Sequence, residues 1–81
     1  MSVTVRFYSY VKDLVGSTEA TEIIPVGATL GHLFKQLAKR FPKLAPLEKS
    51  LLLAVNVDYQ PRSYVLQEGD EVSLFPPVQG G

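Results

Sequence analysis

The sequence predicts an α+β domain, a mixed sheet with one main helix packed on one face. Three observations carry that reading. One stretch repeats its apolar residues at helical spacing: Leu30, Leu33, Phe34, Leu37 and Phe41. Alternating or wholly apolar strand-like runs flank it, at residues 3–9, 51–57 and 71–75. The length, 81 residues, suits a single small domain.

Residues 3–9 alternate, with Val3, Val5 and Phe7 pointing one way and Thr4, Arg6 and Tyr8 the other, as in a half-buried strand. Residues 10–15 form a short helical turn stopped by Gly16. Residues 18–26 form a second strand around Ile23, Ile24 and Val26, in a register left open. Gly27 serves the turn that follows, and Thr29 is the expected N-cap of the main helix. Lys35, Gln36, Lys39 and Arg40 make its wet side, and Lys43 continues that side into the loop. Pro42 ends the helix, because a proline excludes helical geometry from the residue before it. A loop with Pro46 follows. Residues 51–57 are apolar on both faces and suit an interior strand. Asn56 to Pro61 contains turn formers, and residues 62–65 are predicted to be a short edge strand. Glu68-Gly69-Asp70 is a solvated turn in which glycine is free to take positive φ. Residues 71–75 alternate again, with Val72 and Leu74 on one face and Ser73 and Phe75 on the other. The order β-β-α-β-β-β is that of a β-grasp, ubiquitin-like domain over residues 1–75. Its last strand lies beside the first at the sheet centre. Residues 76–81 are then a projecting tail that ends in two glycines.

Alternation alone places a candidate surface. If Val72 and Leu74 face the helix, Phe75 faces away from it, as do Arg6 and Tyr8 on the first strand. Exposed aromatic clusters mark partner surfaces, and aromatic and Arg side chains are common anchors there. A docking patch is therefore expected around Phe75 and Tyr8, beside the root of the tail.

Composition excludes more chemistry than it admits. Eight basic residues balance eight acidic ones, which argues against non-specific binding to nucleic acid or an anionic membrane. No apolar run approaches a membrane span, and Met1 to Arg6 lack the features of a signal peptide. A cytoplasmic protein is the expectation. There is no cysteine, so no disulfide, thiolate metal site or thiol nucleophile is available. His32 is the single histidine and has no companion ligands, so no metal site is expected. It reads as a surface residue in the first helical turn. Gly27 and Gly31 make no phosphate loop, and Glu68 to Glu71 lack the ligand count for calcium.

What remains is the C-terminus. Pro76 and Pro77 cannot propagate a ladder and favour extended backbone. Val78 to Gly81 span about 13 Å when extended at roughly 3.3 Å per residue, enough to put Gly81 inside another protein's active site. Side chains on the last two residues would crowd attack at an activated carboxylate and widen the channel needed. Gly80 and Gly81 avoid both problems. The terminal carboxylate of Gly81 is the expected reactive group.

Phe75-Pro76-Pro77-Val78-Gln79-Gly80-Gly81, with Leu53-Ala54-Val55-Asn56, Glu68-Gly69-Asp70-Glu71-Val72 and Val11-Lys12-Asp13-Leu14-Val15-Gly16, resembles the MoaD-type small subunits of molybdopterin synthase. The resemblance covers essentially the whole chain. It implies a sulfur carrier of molybdenum cofactor biosynthesis. An adenylating enzyme like ubiquitin-activating enzymes would use ATP to adenylate Gly81, and a desulfurase or rhodanese-like donor would convert it to a thiocarboxylate. The tail would then enter the large synthase subunit and give sulfur to a cyclic pyranopterin phosphate, building the dithiolene. The resemblance further implies a heterotetramer of two small and two large subunits, with no cofactor bound to the carrier. Gly80 would keep the channel clear, Pro76, Pro77 and Val78 would aim the tail, and Phe75 would anchor the interface. Gln79 occupies a position expected to vary. Three other readings use the same terminus differently: a thiamin sulfur carrier, a ubiquitin-like modifier of lysines, and an interaction module with an inert tail.

Overall fold

The protein is described by a computed structural model covering residues 1–77; Val78, Gln79, Gly80 and Gly81 lie outside the described residues. The first strand, β1 (Ser2–Phe7), buries every second residue, Val3, Val5 and Phe7, as its alternation requires. A short helix, α1 (Tyr10–Val15), ends at Gly16 in the left-handed conformation at φ 76°, where a glycine carries no Cβ penalty. The antiparallel partner β2 (Glu19–Ile23) is shorter than the expected 18–26, because Pro25 and the turn at Val26-Gly27 break away from the ladder.

The main helix, α2 (Leu30–Arg40), buries Leu30, Leu33, Phe34 and Leu37 against the sheet. Each side chain of that size contributes about 1.5–3 kcal/mol when fully buried. Thr29 caps it as expected. Thr29 Oγ1 accepts the His32 amide at 3.2 Å, and His32 Nδ1 accepts the Thr29 amide at 3.1 Å. The segment read as a loop after Phe41 is a 3₁₀ turn, Pro42–Leu47, whose Leu44 is wholly buried.

The sheet has the order β2-β1-β5-β3-β4, with β3 at Leu52–Val55, β4 at Asp58–Tyr59 and β5 at Glu71–Phe75. β5 lies at the centre, parallel to β1 and antiparallel to β3. Val72 and Leu74 face α2 and join the core with Val3, Val5, Phe7, Leu53 and Val55.

The edge strand expected at residues 62–65 does not form. The edge is β4, only Asp58 and Tyr59, folded back on β3 through a two-residue turn in which Asn56 takes φ 57°. Residues 61–64 instead make a tight turn, with the Tyr64 amide on the Pro61 carbonyl at 3.0 Å. The carbonyls of Arg62 and Tyr64 accept the amides of Gly31 and Leu30, both at 2.9 Å. These amides belong to the first helical turn, which lacks partners within the helix. Val65 retains one isolated bridge, to Thr29. The backbone of residues 62–66 therefore braces the helix start instead of extending the sheet.

The turn at Glu68–Asp70 has Gly69 at φ 82°, but it is not solvated throughout. Asp70 is buried, and its carboxylate accepts the Gln67 amide at 2.8 Å and Asn56 Nδ2 at 3.3 Å. Asn56 Oδ1 accepts the Glu71 amide at 3.2 Å. The β3–β4 hairpin and the start of β5 are thus tied by side chains as well as by the ladder.

Candidate functional site

The face of the sheet turned away from α2 is built by register. Glu19, Arg6, Ser73, Ala54 and Tyr59 pair in sequence across the five strands. Along β5 the next residue on this face is Phe75, paired with Leu52. On the β1 side the Tyr8 amide continues the ladder one residue past the strand, donating to the Leu74 carbonyl at 3.2 Å.

This register brings three aromatic rings together. Tyr8 stacks on Phe75 with centroids 4.7 Å apart and planes 12° from parallel. Tyr59 meets Phe75 edge-on at 6.4 Å and 77°. Such pairs contribute about 0.5–1.5 kcal/mol each beyond burial. Tyr8 and Tyr59 remain exposed while Phe75 is half-buried. Ser73 and Ala54, small residues of the same face, are buried among these larger neighbours. The Phe75 and Tyr8 rings do cluster on this face, and Phe75 is not beneath the helix. Pro76 and Pro77 follow directly and are half-buried.

Tyr59 was not foreseen, since Asn56 to Pro61 reads as a turn. Its signal was Asn56, whose tolerance of positive φ permits a two-residue hairpin. That hairpin sets Tyr59 opposite Ala54 and hence on the face of Phe75.

Arg6 borders the aromatic rings. Its guanidinium lies 3.0 Å from a Glu71 carboxylate oxygen and 3.2 Å from one of Glu19. The hydrogen bond to Glu71, then the charges of Glu71 and Glu19, raise its pKa above the ordinary arginine value. It is a fixed cation at any working pH. A shallow groove beside it is lined by Arg6, Phe7, Tyr8, Ser9, Lys12 and Thr18. Ser9 turns the chain from β1 into α1 at φ 56°, a conformation costly for a residue with a Cβ.

Among the described residues no group of three or more His, Cys, Asp or Glu side chains is placed to hold a metal ion. No helix among them is long and apolar enough to cross a membrane. His32 is occupied in the helix cap. The candidate reactive residues Gly80 and Gly81, with Val78 and Gln79, lie outside the described residues.

Fold and surface together define a β-grasp protein that presents an aromatic platform where its last central strand ends. The ThiS family is matched over residues 5–81, and the chain belongs to that family. It is 38% identical over 81 residues to the molybdopterin synthase sulfur carrier subunit of Escherichia coli strain K12, covering 98% of this chain and 99% of that protein. SAMP1 from Haloferax volcanii superposes with a TM-score of 0.89 at 22% identity over 100% of both chains. The complex of subunits 1 and 2 of the molybdopterin-converting factor from Helicobacter pylori contains a chain that matches with a TM-score of 0.70 at 24% identity, again over 100% of both. These two structures establish the likeness of fold.

Proposed function

We propose that this protein is the sulfur carrier and small subunit of a molybdopterin synthase, with the Gly81 carboxylate as its reactive group. One observation carries the reading: whole-length kinship with a sulfur carrier subunit of that enzyme in a chain that ends Gly80-Gly81.

The chemistry divides between the tail and its partners. A ubiquitin-activating-like enzyme joins the Gly81 carboxylate to AMP from ATP and releases pyrophosphate. The resulting mixed anhydride has a good leaving group. A persulfide sulfur on a desulfurase or rhodanese-like donor attacks the acyl carbon and AMP departs. A thiol then attacks the donor's sulfur in the acyl disulfide, becoming a disulfide with it and releasing the thiocarboxylate, whereas hydrosulfide gives the thiocarboxylate directly. The loaded tail then enters the large subunit, where its sulfur attacks an oxygen-bearing carbon of the cyclic pyranopterin monophosphate. The new C–S bond replaces a C–O bond of that carbon, whose oxygen leaves protonated or on the phosphate. Water cleaves the thioester so formed, leaving sulfur on the pterin and restoring the carboxylate. Two such transfers complete the dithiolene. Side chains for substrate binding and proton transfer come from the large subunit.

This chain contributes position. Phe75, stacked on Tyr8, anchors the partner surface, and Tyr59 completes it. Pro76, Pro77 and Val78 aim the tail; Gln79 and Gly80 pass through the channel. β5, hydrogen-bonded on both sides, gives the tail a rigid origin.

The test is the intact mass of the protein after incubation with an adenylating enzyme, ATP and a sulfur source. Replacement of one oxygen by sulfur in the Gly81 peptide is expected, followed by turnover with the large subunit and the pterin precursor. No mass change with an enzyme active on a control carrier would overturn the reading, and lysine-linked adducts would reassign the chain as a protein modifier.

A further inference from the structure

The charges of this chain are segregated. Residues 29–50, which span α2 and the 3₁₀ turn, hold five of the eight basic residues and one of the eight acidic ones, Glu48. That segment carries net charge +4 in a chain of net charge zero, so the remainder carries −4. α2 itself contains no acidic residue.

Most of the other cations are engaged. Arg6 bridges Glu19 and Glu71. Arg40 pairs with the buried carboxylate of Glu22 and lies over the Phe41 ring. Arg62 donates to the carbonyls of Glu48 and Leu51. Lys35, Lys39 and Lys43 are exposed and make no ion pair among the described residues. With Leu30, Leu33, Phe34 and Leu37 turned to the sheet, a rotation of roughly 100° per residue puts Lys35 and Lys39 on the opposite crest. Lys43 follows four residues on, past the helix end.

An amphipathic helix needs a polar outer face, but folding gives no reason for that face to carry one sign of charge. Like charges four residues apart destabilise a helix slightly. Lys39 gains from the helix dipole in the last turn, but Lys35 is too far from the C-terminus to do so. We propose that the Lys35–Lys39–Lys43 crest is a second docking surface, which receives an acidic segment of a protein partner independently of the tail.

Dimensions and composition favour that occupant. The helical part of the crest, Lys35 to Lys39, rises about 6 Å at 1.5 Å per residue, the length of about two residues of an extended acidic segment, and Lys43 lies past the helix end in the 3₁₀ turn. It carries no apolar residue to insert into a lipid surface and no aromatic ring on which a base could stack. The crest lies on the helix side of the sheet, whereas Tyr8, Phe75 and Tyr59 lie on the other, so both surfaces can be engaged together.

The experiment is an amide-resolved NMR titration of the full chain with an eight-residue Asp/Glu peptide, a single-stranded oligonucleotide, and phosphatidylserine-containing vesicles. Peptide-induced shifts confined to residues 30–43, with residues 6–8 and 71–75 unmoved, are expected. The Lys35→Glu, Lys39→Glu, Lys43→Glu triple variant should keep its fold and lose roughly tenfold or more in peptide affinity. A chain lacking Gly80 and Gly81 should bind the peptide unchanged, which separates this surface from the sulfur chemistry. Absent or evenly spread shifts, tighter binding of oligonucleotide or vesicles, or self-association abolished by the charge reversal would each overturn the proposal.

Discussion

Replacing Phe75 by alanine separates anchoring from folding. A fully buried phenylalanine such as Phe34 costs about 3–5 kcal/mol on truncation. Phe75 is half-buried, and its side chain makes one stacked and one edge-on aromatic contact. At about 0.5–1.5 kcal/mol per pair, with partial burial added, Phe75→Ala should cost about 2 kcal/mol. For a domain of this size each kcal/mol lowers Tm by roughly 4–8 °C, so a fall of about 8–16 °C is expected by calorimetry. Binding to the large synthase subunit should suffer more. A central aromatic anchor is worth about 2 kcal/mol or more, roughly thirtyfold in Kd, read by isothermal titration below the variant's melting range. Tyr8→Ala should weaken binding less, and the double variant less than the sum, because the two rings share one contact. If Phe75→Ala loses as much stability as Phe34→Ala while binding is unchanged, Phe75 is a core residue and the anchoring argument fails.

Three further outcomes follow from the geometry. Asn56→Gly keeps the positive φ but loses the bonds to Asp70 and Glu71, costing about 1–2 kcal/mol in urea denaturation, whereas Asn56→Val adds backbone strain of at least about 1 kcal/mol. Thr29→Ala removes the acceptor for the His32 amide and should cost about 1 kcal/mol, with Thr29→Ser recovering most of it. One residue added after Gly81 should leave Tm unchanged and abolish sulfur loading, measured by intact mass; normal turnover by the intact extended chain would contradict the role given to the carboxylate.

The legible parts of the fold are those whose pattern is local. Leu30, Leu33, Phe34 and Leu37 declare one helix face, Thr29 its start, and the alternation in β1 and β5 sets which side chains face α2. What escaped depends on competition between distant segments. Residues 62–65 have strand-like content, yet the edge of β3 is already taken by Asp58 and Tyr59 through the Asn56 turn. The carbonyls of Arg62 and Tyr64 are then free to accept the first helix amides. Asp70 reads as a surface turn residue because its partners, Asn56 and the Gln67 amide, converge on it only after β3 and β5 pair. At the site, Phe75 and Tyr8 followed from alternation, while Tyr59 required knowing the hairpin length.

The register of β5 joins stability to presentation. Val72 and Leu74 are fully buried beneath α2, and Ser73 and Phe75 occupy the other side of the same pleat. A slip of one residue would exchange the two sets, placing Ser73 in the core and exposing Val72 and Leu74. The core therefore holds Phe75 on the open face through the burial of its neighbours Val72 and Leu74. Parallel pairing with β1 sets Tyr8 beside it, and antiparallel pairing with β3 and the short β4 brings Tyr59. The aromatic surface is assembled from three strands, and the one at its centre runs straight into Pro76 and Pro77. On the proposed function, a partner that grips those rings would be held beside Pro76 and Pro77, where two prolines restrict the directions of the backbone.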